Sequence, residues 1–432
     1  MTRTIVAIEP LGIDQVIFKL AGAPFRIPNA EINCLFNSGA LTEPAGQGPV
    51  KQLGAALFSR LQDNEAVTDA IRKALAIADG PSYPIGFQIT DEEIAALPWE
   101  GLAIDATFPA LEARWPIVRV VTPISPLLRH AFVPPLRVMA VLSALHRPAE
   151  KQWEGLKAAV DTARQHGLPI RLKVLVSEET LRDRIAAAGE ADTEVETVPS
   201  LSTDLTRAIN GFAPQILHFF CHGSHRDGIR RLELATVVDW DQPADADARS
   251  SLQLAISELG EATKGIWLVV LNACEGGSGS EEAYSFAHEL VKTGLPAAIG
   301  MRRAIDALDA NTFSAAFFPA LFTLLGSLAG LGKGEAALEW ADLLVGARRA
   351  LRDRHGDPSE DDTWTLPVLY VHPTTFELVT NAAAAVTDVE RHLGSADVYQ
   401  ALAELLKSAN APSAVVDELL GNAAARATAA TT

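Results

Sequence analysis

Short apolar runs alternate with helical periods from about residue 137 onward, and this alternation limits the folds open to the chain more than any other feature. Residues 137–144 (RVMAVLSA), 170–176 (IRLKVLV), 215–221 (QILHFFC), 266–271 (IWLVVL) and 297–301 (AAIGM) read as strands, with 366–371 as the last. Helices are expected at 153–165, about 204–210, about 252–259 and 281–291, with two more helical segments between 301 and 366. Ser177 with Glu178 and Glu179 has the form of an N-cap with an acidic first turn. Residues 232–237 read as one strand of an inserted hairpin. This order predicts an α/β fold with a mostly parallel sheet covered by helices on both faces. Such sheets carry their chemistry at the carboxyl ends of the strands.

The flanking regions are less regular. The first 130 residues hold turn-rich segments, a helix near 52–62 and the tight sequence Leu97-Pro98-Trp99-Glu100-Gly101-Leu102. Past 371, Val398, Leu402, Leu405 and Leu406 fall on one helical face. Asn410-Ala411-Pro412 ends that helix, and Ser413 caps a second one carrying Val415, Val416, Leu419 and Leu420. Residues 310–332 carry no charge and are long enough to span a bilayer. Pro319, Gly326, Ser327 and Gly330 interrupt them, and strand-like runs flank them on both sides, so a buried core helix is the expectation.

Composition narrows the function. A formal net charge of −18 disfavours a broad basic surface for nucleic acid, because phosphate affinity comes chiefly from Lys and Arg. Three cysteines (Cys34, Cys221 and Cys274) do not make a disulfide framework, and the first residues (MTRTIVAIEP) lack an apolar leader. A cytoplasmic, reducing setting is expected, where a cysteine is catalytic or buried. Residues 327–333 lack the first glycine and the final Ser/Thr of a P-loop. Gly277-Ser278-Gly279 completes neither a dinucleotide fingerprint nor a nucleophile elbow. No cofactor is expected.

Two strand ends carry chemistry. The run QILHFFC leads into His222-Gly223, and IWLVVL leads into Asn272-Ala273-Cys274-Glu275-Gly276-Gly277. Each puts a reactive side chain at a carboxyl end and follows it with glycine, which suits a base and a nucleophile on one cleft. An imidazole beside a thiol lowers the thiol pKa, and the imidazolium then protonates the leaving amine. The backbone N–H groups of Gly223 and Cys274 are candidates for an oxyanion hole. Histidine precedes cysteine by 52 residues, the order and approximate spacing of caspases. Asp227 and Glu275 flank these positions and are candidates for selecting a basic substrate side chain, against the plainer reading of surface carboxylates.

The remaining candidates read more plainly. His218 lies inside its strand and reads as a core histidine, and Cys34 and Cys221 as buried thiols. His218, Cys221, His222 and His225 make a poor zinc site, since a strand does not present Cys221 and His222 to one side. Trp99 and Glu100 read as packing and a structural hydrogen bond. The loop 239–249, with Asp239, Asp241, Asp245 and Asp247, is either a solvated excursion or a processing or docking site.

LHFFCHG (217–223) and VVLNACEGG (269–277) resemble the His and Cys motifs of CHAT domains, caspase-like cysteine peptidases related to separase. ALPWEGL (96–102), AAIGMRRAID (297–306) and TWTLPVLYV (363–371) resemble further family motifs in order, so the likeness covers roughly residues 50–372. It implies a caspase-like sheet built from a pseudo-caspase half (1–130) and a catalytic half (131–376), with a helical appendage (377–432). It implies His222 as general base and Cys274 as nucleophile of a cysteine endopeptidase that cleaves a protein substrate through an acyl-enzyme. No metal, membrane or direct nucleic-acid contact is implied, and no third catalytic member is identified. Relatives are commonly latent until a regulatory protein or ligand-sensing partner acts, many of them in bacterial defence or cell death. Arg302, Arg303, Ala304 and Ala307 stand where the family often has an aromatic residue and an aspartate, and Pro319 interrupts the following helix; both leave local substrate contacts open. Two rival readings remain: an interaction scaffold that has lost turnover, and an acyltransferase or amidase acting on small molecules.

Overall fold

The apolar runs of the sequence form the middle of one large sheet. A computed structural model describes residues 3–10, 15–22, 34–37, 49–77, 82–105, 107–124, 127, 130–226, 229–241, 251–262, 265–274, 283–330 and 335–380. Its strands are β1 (Thr4–Pro10), β2 (Gln15–Gly22), β3 (Cys34–Asn37), β4 (Ile85–Ile89), β5 (Ile117–Val120), β6 (His130–Ala131), β7 (Leu136–Leu142), β8 (Ile170–Val176) and β9 (Thr193–Thr197). They continue with β10 (Ile216–Arg226), β11 (Ile229–Leu234), β12 (Leu252–Ala255), β13 (Leu268–Cys274), β14 (Ala297–Met301), β15 (Glu335–Leu338), β16 (Pro367–Val371) and β17 (Phe376–Val379).

The main unit comprises residues 1–128, 134–327 and 337–376. Its sheet runs β3-β2-β1-β4-β5-β16-β14-β13-β10-β7-β8-β9, with β11 and β12 extending β10 as a hairpin. Parallel pairing holds from β14 through β9 and again from β16 through β5 and β4 to β1. Between the two sets, β14 and β16 pair antiparallel, Ala297 opposite Val371 and Met301 opposite Pro367. Strand direction therefore reverses between the two parallel sets, which expose their carboxyl ends on opposite edges, while β2 and β3 extend the β1 side by antiparallel pairing. The architecture is the mostly parallel, helix-flanked sheet expected of a caspase-like fold.

Alternation along β10 assigns its side chains to two faces. Leu217, Phe219 and Cys221 join Met139, Val141, Val269 and Leu271 under the helices Ser202–Phe212 and Ala283–Lys292. The opposite face meets the helices Glu150–Gln165 and Ala307–Gly330. By length and composition the latter helix is apolar enough to cross a membrane, yet Phe313, Phe317, Phe318, Leu321 and Phe322 are buried on its inner side.

Two parts differ from the sequence expectations. Residues 252–255 form a strand, not the start of a helix: Leu252 and Leu254 are buried while Gln253 between them is half-buried, a period of two. The helix Ile256–Ala262 begins only afterwards. The first 130 residues, read as irregular, hold five strands of the main sheet. In the second, smaller unit (residues 129–133, 328–336 and 377–432), β17 pairs in parallel with β6. The expected C-terminal helices lie outside the described residues, as do Asp227, Glu275, Asp245, Asp247 and the side chains of Cys34, His225 and Cys274, the last of which is described through its backbone alone.

Candidate active site

His222 is the residue at which β10 changes partners. Up to this point β10 lies between β7 and β13; from here to Arg226 it pairs with β11, His222 opposite Glu233 and Gly223 opposite Leu232. In the parallel ladder of β10 and β13, His222 is the register partner of Cys274. Neighbouring strands stand about 4.8 Å apart, so the two backbones lie side by side at the carboxyl edge of the sheet. Both backbones named for an oxyanion hole, those of Gly223 and Cys274, belong to these two strands. β10 does not end at His222 as its sequence suggests but carries on into the hairpin with β11.

The imidazole of His222 is 5% exposed, and its Nε2 lies 3.0 Å from the carbonyl oxygen of Leu145. A carbonyl only accepts, so in that bond Nε2 carries the proton and Nδ1 of the neutral ring is the basic nitrogen. Leu145 sits in the turn after β7, which is stitched to the strand by Ser143 N–H donating to the Phe220 carbonyl at 2.7 Å. The next residue, His146, has φ +59°, in the left-handed region. Sequence reasoning found no third member of the site. The orienting group is main-chain, so no side-chain motif announces it.

Four residues earlier, the ring of His218 is wholly buried, with Nδ1 3.3 Å from the Val270 carbonyl and Nε2 3.4 Å from Gln152 Oε1. Phe318 meets the ring edge-on at 5.0 Å. Burial lowers its pKa to about 4, so at neutral pH the ring is an uncharged core group, as the sequence suggested. Cys221, on the other face, is buried in the apolar cluster. Asn272, two residues before Cys274, was not singled out. Its Nδ2 donates to the Ala310 carbonyl at 2.8 Å and to Ser314 Oγ at 2.9 Å, fastening the end of β13 to the long apolar helix. Its buried Oδ1 has no hydrogen-bond partner among the described residues.

The other sequence candidates have structural duties. Trp99 is buried against Phe87, with centroids 4.7 Å apart, and its indole N–H donates to the Ile94 carbonyl. Glu100 is fully buried and forms a two-pronged ion pair with Arg119, at 2.8 and 2.7 Å. Burial would raise its pKa, but the adjoining guanidinium holds it below the ordinary carboxylate range. Arg302 and Arg303 follow β14 on the edge that holds His222 and Cys274, and they share one carboxylate, Asp362. A cleft lined by Phe87, Asp91, Arg119, His288, Lys292 and Tyr370 lies at the carboxyl ends of β4 and β5, the opposite edge.

Residues 87–369, about two thirds of the chain, match the family described as the CHAT domain. No curated protein matches the chain at a significant level. Among solved structures, the chain is similar to two Saccharomyces cerevisiae separase–securin complexes, determined at 2.6 and 3.0 Å. The first match has 13% identity and a TM-score of 0.34, the second 12% and 0.37. Each covers 74% of this chain and 17% of the separase structure's chain, so the chain spans under a fifth of those chains' length.

Proposed function

The chain belongs to the CHAT domain family, and from that premise we propose that it is a cytoplasmic cysteine endopeptidase acting through Cys274 and His222. The observation that carries the reading is the register of β10 and β13, which sets the two residues level on neighbouring strands at a carboxyl edge. Nδ1 of His222 takes the thiol proton as the Cys274 sulfur attacks the scissile carbonyl, and the imidazolium returns it to the leaving amine. Water, deprotonated by the same ring, then hydrolyses the acyl-enzyme. The N–H groups of Gly223 and Cys274 stabilise the tetrahedral oxyanion. Leu145 supports this reading because its carbonyl fixes the ring tautomer.

In this proposal the substrate is a protein, with Asp227 and Glu275 selecting a basic side chain beside the scissile bond. Activity is latent until a regulatory protein or ligand-sensing partner engages the chain, within a bacterial defence or cell-death system. The test is a mass-spectrometric survey of new protein N-termini in cells holding the genomic neighbours, comparing the wild type with Cys274→Ala. Termini that depend on Cys274 are the expected result, and the residues before them give the specificity. Identical termini from both folded proteins, with neighbours and stimulus present, would replace the peptidase with a binding scaffold.

A further inference from the structure

The turn that presents the Leu145 carbonyl, residues 143–149, is anchored at both ends. At its start Ser143 donates through N–H to the Phe220 carbonyl and through Oγ to the Ala235 carbonyl, at 2.7 and 2.6 Å. At its far end the N–H of Ala149 donates to Oε1 of Glu178 at 2.7 Å. Between the anchors His146, Arg147 and Pro148 are exposed, and His146 holds a left-handed backbone that costs a non-glycine residue about 1–2 kcal/mol. Within the turn the Arg147 N–H donates to the Ala144 carbonyl at 2.9 Å, and Ala144 and Leu145 are buried, so the anchors at Ser143 and Ala149 set where a locally folded turn sits against the sheet.

Ala149 is also the N-cap of the helix Glu150–Gln165 and offers that helix no side-chain cap. Glu178, arriving from the carboxyl end of β8, accepts instead from the N–H of Ala149 itself, one of the donors that the helix start leaves unpaired. It does so from a buried position, 9% exposed. Burial raises its pKa; the bond from the Ala149 N–H opposes the rise, Glu150 on the facing helix adds to it, and Arg184 on the helix that follows Glu178 opposes it. A carboxylate needed only as a helix cap works as well in solvent, at a cap position of the helix itself. The buried placement reaches the turn.

We propose that Glu178 is a positioning residue: its acceptor oxygen pins the far end of the turn, and so sets where the Leu145 carbonyl meets the ring of His222. The proposal rests on His222 being the base of the site, and it assigns Glu178 a role beyond the acidic first turn that its sequence context suggests.

The test uses the full-length chain with 15N-labelled histidine. The Nε2–H signal of His222 is compared in the wild type, Glu178→Ala, Glu178→Gln and Glu178→Asp. Alkylation of Cys274 by iodoacetamide is followed by mass spectrometry in the same proteins. Glu178→Ala should lose the hydrogen-bonded Nε2–H signal and slow alkylation by about ten- to a hundredfold, the usual effect of misplacing a reacting group by about an ångström. Glu178→Gln keeps an acceptor at the same reach and should restore the signal and most of the rate. Glu178→Asp keeps the charge but draws it back by one methylene, so it should shift the signal even if Glu178→Ala does not fold.

An unchanged Nε2–H signal in folded Glu178→Ala or in Glu178→Asp overturns the proposal. So does a Glu178→Gln variant that behaves like Glu178→Ala. If wild-type Cys274 reacts as an ordinary thiol, the peptidase reading fails, while the ring signal still decides the role of Glu178.

Discussion

His218 and His222 stand four residues apart on one strand and share a face of the sheet by alternation, yet their surroundings give them different work. His222 reaches the carboxyl edge beside Cys274, whereas His218 is sealed between β13 and the long apolar helix. Because burial holds His218 near 4 against an ordinary 6.5, an unfolded chain takes up a proton that the native ring refuses. Stability is therefore full above about pH 6.5, falls as the pH drops from there to about 4, and levels below. The shift corresponds to roughly 3 kcal/mol over that window. His218→Phe should flatten this part of the pH dependence in urea denaturation at pH 7, 5.5 and 4. It should also cost about 1–2 kcal/mol at pH 7, because it removes the partner of Gln152 Oε1 while the Gln152 amide nitrogen keeps its bond to Asn311. An unaltered slope would show that the ring is hydrated or charged in the native state. The edge positions of His222 and Cys274 were legible because their apolar runs stop there and glycines follow, and His218 was legible as a core group because it lies inside its run. Leu145 was not: it contributes a carbonyl that every residue possesses.

At the scale of elements, the match between sequence and structure follows burial. β7, β8, β14 and the stretches 216–222 of β10 and 268–272 of β13 are buried almost throughout, so their runs are largely apolar and stand out. β5 is only four residues long and carries Arg119, whose charge breaks the apolar signal and is neutralised by Glu100, a partner 19 residues earlier. No periodicity within the strand reports that pairing. The helix Val50–Leu61 was foreseen, but not its closeness to the Trp99–Gly101 turn. At Gly54 the two backbones touch: a Cβ there would lie 1.9 Å from the Gly101 carbonyl oxygen and 2.7 Å from the Ala103 nitrogen. Helix propensity alone favours Gly54→Ala by about 1 kcal/mol. Backbone atoms cannot swing aside as side chains can, so overpacking should win and destabilise the chain by about 3 kcal/mol or more. Thermal and urea denaturation of Gly54→Ala read the balance. A stabilised variant would mean that helix and turn do not approach so closely.

Over the whole molecule, the reversal between β14 and β16 gives the two parallel sets opposite carboxyl edges, and it joins residues far apart in sequence. β16, the last strand of the main sheet in chain order, lies between β14 and β5 and pairs with β5 through Tyr370–Arg119 and Val371–Val120. Buried polar contacts cross the same span. Arg3 pairs with Glu339 at 2.7 Å, the two side chains 4% and 1% exposed, and donates to the His372 carbonyl. Arg348 donates to the carbonyls of Ile117 and Pro367. Cutting the chain at 130 would leave β5 without its inner neighbour and would strip Arg3 of a buried partner, a loss that costs about 3–5 kcal/mol. A fragment of residues 1–130 should therefore lack a cooperative unfolding transition and protected amides when expressed alone. Mixed with residues 131–432, it should gain amide protection in β1, β4 and β5. A fragment that folds cooperatively without its complement would show that the contacts across the β5–β16 pair are not needed to hold the first five strands together. The two carboxyl edges would then belong to separable bodies rather than to one sheet built from both ends of the chain.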